Sequence, residues 1–338
     1  MGVDTILTDG IVPAQVRRRP ESLLQVDQLS IDIATRDANV RLVDNVSFGI
    51  GRGERVALVG ESGSGKSVTA QALMRLNSRV KLSGRVQFDG TDLLSLSPRQ
   101  MTAMRGQRMG MVFQDPMSSL DPLMTIGDQV AETLRIRGVS KREARQRALD
   151  VLDELKVERA AERLDSFPHE FSGGMRQRVV LAMALVGEPH LLIADEPTTA
   201  LDVRVQERVL DLLDEISRRR SLAVLLITHD LGIVAGFADR VMVMYSGRIV
   251  EENEATLLFA EPQHPYTRGL LEAVPRADIT VDRLRSISGA PPAPAARPSG
   301  CTFHPRCDHA MAVCTSVEPG ETITPLGARV RCHLYGEG

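Results

Sequence analysis

Eight consecutive residues, Gly60, Glu61, Ser62, Gly63, Ser64, Gly65, Lys66 and Ser67, have the types and spacing of a phosphate cradle. Glycines lack a Cβ, so the loop can adopt positive φ and turn several backbone N–H groups toward phosphate oxygens. The apolar run 55–59 before it reads as a strand, and Val68 begins an apolar helical stretch whose N-terminus adds partial positive charge. In such a P-loop the lysine reaches the β- and γ-phosphates and the Ser67 hydroxyl ligates Mg²⁺. Taken alone, the loop says only that ATP or GTP binds. A flexible connection ahead of a helix is the bland alternative.

Further residues bear on the same chemistry. Asp195 and Glu196 end the apolar run 191–194, which reads as a central parallel strand delivering acids to its C-terminal edge, where open α/β sheets bind ligands. Asp195 is expected to hold the Mg²⁺ shell, and Glu196 to take a proton from water. His229 follows the buried-strand pattern 223–228, and Gln114 follows the strand candidate 109–113. Ser172, Gly173 and Gly174 precede an apolar helix; a hydroxyl and two glycines at a bare helix start make a second anion site or a plain cap. Asp202 closes the stretch 197–202 before the next helix.

These residues need a scaffold. Alternation over 24–27 and again over 29–33 predicts strands, and 42–48 and 84–90 add two more. The simplest architecture is α/β: an N-terminal antiparallel layer, a parallel core sheet carrying the P-loop, and a helical subdomain inserted before the Asp195 strand. The amphipathic segment 141–155 belongs to that insertion. The prolines and serines of 115–122 predict irregular structure.

Composition narrows the class. A net charge of -3 gives no basis for a nucleic-acid partner. The longest apolar stretch, 179–186, falls far short of the roughly 18 residues of a membrane span. Residues 1–22 read as a loose leader without the pattern of a signal peptide, which predicts a cytosolic location unless partners hold the chain at a membrane.

Together, the P-loop, Gln114, Ser172-Gly173-Gly174, Asp195-Glu196, Ala200-Leu201-Asp202 and His229 resemble the nucleotide-binding subunit of an ATP-binding cassette (ABC) transporter. The resemblance covers residues from about 24 to 258. The sequence Phe171-Ser172-Gly173-Gly174-Met175-Arg176-Gln177-Arg178, with 112–122, 195–206, His264-Pro265-Tyr266 and 300–307, is similar to the dipeptide and oligopeptide importers, a group that also serves nickel chelates. The resemblance implies ATP and Mg²⁺ bound at residues 60–68. Ser67, Gln114 and Asp195 would lie around the metal, and Gln114 would couple to the membrane subunits. Glu196 would be the general base and His229 a γ-phosphate contact. It implies that two such subunits close head to tail, so that Ser172, Gly173 and Gly174 grip the γ-phosphate held by the other P-loop. Asp202 belongs to the same site. Two transmembrane permease subunits and an extracytoplasmic solute-binding protein complete the assembly on the cytoplasmic face of the membrane. In this family adenine usually stacks on an aromatic residue upstream of the P-loop. Ile33 occupies that place here, which implies an apolar contact and weaker base affinity.

Beyond about 258 the character changes. Residues 259–297, with the proline-rich run 289–296, read as a linker, and 298–338 as a Cys-containing extension. Cys301, Cys307, Cys314 and Cys332 are spaced unlike common zinc knuckles. Four thiolates suit a structural zinc or an iron–sulfur cluster, and ordinary reduced thiols are the alternative. The resemblance to dipeptide-importer ATPases implies a four-iron, four-sulfur cluster.

Overall fold

The structure, a computed structural model, describes residues 22–36, 38–114, 119–198, 202–273 and 287–336. The expected leader lies outside the described residues except for Ser22, which already belongs to the first strand. In chain order come β1 (Ser22–Ala34), β2 (Asn39–Gly51), β3 (Arg55–Val59), α1 (Lys66–Leu73), β4 (Val80–Phe88) and β5 (Thr91–Asp92). Strands β2, β1, β4 and β5 lie side by side in that order as an antiparallel layer.

The alternation at 24–27 and 29–33 predicts two strands, and the structure joins them into one. The register of β1 against β2 shifts between Val26 and Leu29, where Gln28 has φ of 50°. A bulge lets a strand run on after its alternation breaks. Gly84 of β4 faces that bulge, and a Cβ there would come 2.4 Å from the Gln28 carbonyl. Ile33 sits half-buried in β1, opposite Val40 and Val80.

The second sheet holds the chemistry. It contains β6 (Met109–Val112), β7 (Leu191–Asp195), β8 (Ala223–Thr228), β9 (Arg240–Tyr245), β10 (Arg248–Glu254), β11 (Thr322–Ile323) and β12 (Arg329–Val330) together with β3. The order is β11-β12-β10-β9-β3-β8-β7-β6. The five strands from β9 to β6 are parallel. Strands β7 and β8 are buried throughout and apolar nearly throughout, as parallel strands covered on both faces must be. The C-terminal ends of β3, β7 and β8 therefore meet at one edge.

Between β6 and β7 the chain inserts helices. Helix α2 (Pro98–Met104) precedes β6; α3 (Ile126–Ile136), α4 (Lys141–Glu154), α5 (Ala160–Arg163) and α6 (Gly173–Leu185) follow it. Thr125, Ser140 and Ser172 cap α3, α4 and α6 by accepting backbone N–H bonds. Their apolar faces share a core that includes Val130, Leu134, Ala148, Leu152, Val179 and Leu181. Of the irregular stretch expected at 115–122, residues 115–118 lie outside the described residues. Helices α7 (Val203–Arg220) and α8 (Leu231–Phe237) complete the crossovers around β8.

The expected linker at 259–297 is corrected in part. After α9 (Ala255–Ala260), residues Pro265–Glu272 form α10, with Tyr266 fully buried. Arg297 donates to the Leu42 carbonyl at 2.8 Å and to Ser246 Oγ at 3.2 Å. A buried tyrosine and a bonded guanidinium fasten the two ends of this segment to the cassette; its middle, residues 274–286, lies outside the described residues. Nor is the extension a separate body, since β12 pairs with β10 and continues the core sheet. Strand β10 would otherwise leave a row of backbone groups at an open edge, which the tail covers.

Candidate active site

The P-loop leaves β3 through Gly60, whose φ is 149° and whose Cβ, if it had one, would lie 2.1 Å from the Met244 carbonyl. Only glycine fits that close approach. Gly65, with φ of 108°, turns the chain into α1. Lys66 is 4 % exposed. Its Nζ donates to the carbonyls of Gly60 at 2.8 Å and Glu61 at 2.9 Å, and lies 3.5 Å from Ser64 Oγ. Burial pushes its pKa below the ordinary lysine value, against the pull of the Glu196, Asp195 and Glu61 carboxylates.

The loop and β7 meet directly. Ser67 Oγ donates to Asp195 Oδ1 at 2.9 Å. Asp195 is 3 % exposed, and burial raises its pKa although the Ser67 hydrogen bond opposes the shift. A hydroxyl and a carboxylate oxygen side by side, next to a glycine cradle with a buried ammonium, fit a hydrated divalent cation carrying phosphate oxygens. One residue on, Glu196 has φ of 47°, which carries it off the strand, and its N–H bonds the Ile227 carbonyl at 2.8 Å. Its two oxygens have separate partners. Gln114 Nε2 donates to Oε2 at 2.9 Å, and His229 Nδ1 lies 3.2 Å from Oε1. Residues just beyond three strand ends, Gln114 after β6, Glu196 after β7 and His229 after β8, thus converge at one carboxylate.

Helix α6 stands apart. Ser172 caps α6 by accepting from the Met175 N–H at 3.4 Å, and Ser172 and Gly173 are exposed. The first N–H groups of a helix have no intrahelical partner, so this end can take an anion. Gly174 lets α6 abut α7, since a Cβ would lie 2.7 Å from Val205 Cγ1. Among the described residues no hydrogen bond joins residues 172–174 to the P-loop. Asp202 caps α7 through the Val205 N–H at 3.0 Å; residues 199–201, including Ala200 and Leu201, lie outside the described residues. Gly63, Ser62 and Val68 complete the loop and its exit into α1.

The sequence reading missed the loop's outer supports. Glu61 N–H donates to the Tyr266 hydroxyl at 2.9 Å, and the Glu61 carboxylate is held by Arg306. Both partners lie in stretches, 264–266 and 300–307, whose family likeness is visible, but nothing local says what they touch.

The four cysteines do converge. Cys301, Cys307, Cys314 and Cys332 line one small cavity with His304, His309 and His333. Nδ1 of His304 and Nε2 of His333 each lie 2.9 Å from a backbone carbonyl. Burial raises the pKa of Cys301, Cys307 and Cys332, the last to about 11. Among the described residues no group of three or more His, Cys, Asp or Glu side chains stands close enough to hold a metal ion. The donor set matches Cys₄ ligation, and metal binding would need the sulfurs to lose protons and adjust.

The profile described as "ABC transporter" matches residues 43–199, and that described as "Oligopeptide/dipeptide transporter, C-terminal region" matches 250–314. The chain is 46% identical over 327 residues to the oligopeptide transport ATP-binding protein OppD of Salmonella typhimurium, covering 96% of each chain. It is 48% identical over 321 residues to the dipeptide transport ATP-binding protein DppD of Bacillus subtilis, covering 94% of this chain and 96% of that one. The dimeric cassette MJ0796, in a post-hydrolysis state bound to ADP and Pi, matches with a TM-score of 0.62 and 29% identity over 69% of this chain and 98% of that one. The cbiO1 protein of Clostridium perfringens, part of the transporter complex cbiONQ, gives a TM-score of 0.63 and 29% identity over 71% and 91%. With such identity sustained along nearly its whole length, the chain belongs to the ABC transporter family, among the ATP-binding subunits that carry the oligopeptide/dipeptide transporter C-terminal region.

Proposed function

We propose that this chain is the ATP-hydrolysing subunit of an importer of dipeptides, oligopeptides or related small solutes, and that Glu196 is its general base. One observation carries the assignment: Glu196 is held by Gln114 on one oxygen and faces His229 on the other, one residue beyond the aspartate that meets Ser67. A carboxylate so fixed at a strand edge can orient a water and take its proton. Lys66 and the N–H groups of residues 60–67 bind and orient the phosphates, and Ser67 and Asp195 hold the Mg²⁺, which neutralises phosphate charge when bound. His229 contacts the γ-phosphate. Gln114 shares Glu196 with the site and directly follows the exposed Phe113, a fitting place for permease subunits to feel the nucleotide. Ile33 supplies an apolar contact for adenine.

The site is half of a pair. Ser172, Gly173 and Gly174 serve the P-loop of a second cassette subunit, a homologous chain, and ATP drives the closure of the two. Peptide cargo is supported by OppD and DppD, whose names give oligopeptide and dipeptide transport. Cargo selection belongs to two permease subunits and an extracytoplasmic solute-binding protein. Among the described residues no helix is long and apolar enough to cross a membrane. In this reading the permeases hold the subunit to the inner face of the cell membrane. The four tail thiols, which line one cavity, would hold an iron–sulfur cluster once deprotonated and drawn together; their spacing is unlike that of common zinc knuckles.

The test is Glu196→Gln in the reconstituted transporter. The variant should bind ATP and release phosphate about 10²-fold to 10⁴-fold more slowly. Phosphate release near the wild-type rate would remove Glu196 from its role.

A further inference from the structure

The second residue of the P-loop is an acid, which is an awkward neighbour for a polyanion. Glu61 counts among the carboxylates that act on the Lys66 ammonium, so its charge is felt where phosphates bind. Its side chain is answered from the far end of the chain. Arg306 Nη1 donates to Glu61 Oε2 at 2.7 Å and Nη2 donates to Oε1 at 2.9 Å, the bidentate geometry that suits guanidinium and carboxylate.

The guanidinium is itself held on every side. Nε donates to the Ser288 carbonyl at 2.9 Å, Nη2 to the Gly289 carbonyl at 3.2 Å, and Nη1 reaches the Tyr245 hydroxyl at 3.4 Å. An arginine has five N–H donors, and here each has an acceptor. The plane also lies over the rings of Tyr245 and Phe303, at 5.8 and 6.0 Å. The Arg306 side chain is only 6 % exposed. A cation anchored this completely is pre-set, not recruited. A second tie from the same region, the Tyr266 hydroxyl accepting the Glu61 N–H, fixes the backbone at the same residue. Tyr266 in turn packs on Tyr245 and Phe303, with ring centroids 4.6 and 5.3 Å away.

We propose that Arg306 is a positioning residue for ATP: it neutralises and fixes Glu61, so the P-loop has its phosphate-binding shape and charge only when the C-terminal extension is docked. The carbonyls that receive Lys66 belong to Gly60 and Glu61, so a shift of Glu61 moves the lysine's seat as well. The inference rests on ATP occupying this loop and not on Glu196 being the base, so the two fail separately.

The experiment measures KM and kcat for Mg-ATP in the reconstituted transporter. Arg306→Met should raise KM about tenfold, the scale of one uncompensated charge near the phosphates, with a smaller change in kcat. Arg306→Lys, which keeps the charge and loses the fork, should fall between. The decisive variant is Arg306→Met with Glu61→Gln, which removes the stranded carboxylate and should bring KM most of the way back. A damaged fold would not be repaired by that second change. Should Arg306→Met fail to assemble, Glu61→Gln alone still decides: its amide oxygen still accepts from Arg306 and its N–H still bonds the Tyr266 hydroxyl, so the loop keeps its seat while Arg306 is left uncompensated, and KM should fall below wild type. An unchanged KM in Arg306→Met, no recovery in the double variant, or a raised KM in Glu61→Gln overturns the proposal.

Discussion

Asp195 shows what the site costs the fold. Its carboxylate is buried, and burial raises its pKa. For an acid raised in the folded state, protonation favours folding, and the stabilisation is lost as pH rises through the folded pKa. At neutral pH the ionised Asp195 therefore weighs against the folded state without Mg²⁺. Asp195→Asn keeps an acceptor for Ser67 and removes the charge. It should raise the thermal midpoint measured without nucleotide by roughly 2–4 °C, while hydrolysis is lost. A lower midpoint would mean that the charge is already compensated. This residue was legible in the sequence, as were Lys66, Ser67 and Glu196, because loop and strand carry their signals within a few neighbours. Arg306 and Tyr266 were not. Their partner lies 245 and 205 residues away, and only the fold brings them to it.

At the scale of elements, the join between β10 and α10 fastens the tail and carries its own pH response. The Glu251 carboxylate accepts the N–H groups of Gln263 and His264, each at 2.8 Å, and His264 Nδ1 accepts from the Tyr266 N–H at 3.0 Å to cap α10. Burial lowers the His264 pKa to about 3. The folded state then cannot take a proton that the unfolded chain takes below its ordinary value near 6.5. Stability should fall as pH drops from 6.5 toward 3, by up to about 1.4 kcal/mol per pH unit. Urea titrations between pH 6.5 and 5, above most carboxylate titration, should show this slope in the wild type. His264→Asn, which keeps a capping acceptor, should flatten it; an equal slope in both would assign the effect elsewhere. Here sequence reading was weakest. Prolines at 291, 292 and 294 suggest a linker, yet α10 earlier in that stretch is set by a cap and one buried tyrosine. The antiparallel layer, parallel core and helical insertion were legible because periodicity runs the length of those elements.

In the whole molecule the extension is structural as well as local. It adds β12 to the core sheet, and Arg329 meets Glu252 at 3.3 Å while Glu252 also pairs with Arg240 of β9. The four thiols lie in the same extension, around one cavity. Protein purified without oxygen should carry iron and sulfide and a broad visible absorbance. Cys307→Ser should lose that absorbance and lower the thermal midpoint of the full chain. Absence of iron and sulfide in the wild type would leave four free thiols around the cavity without a cofactor.

The contact between Glu61 and Arg306 spans 245 residues, and that span has a meaning in time. A ribosome working at roughly 5–20 residues per second needs about 12 to 50 s to travel it. Throughout that interval the nascent chain owns a complete P-loop whose acidic residue still lacks its guanidinium. Full grip on ATP is thus reserved for chains synthesised past Arg306, and a subunit truncated before that residue would compete poorly for the cell's nucleotide.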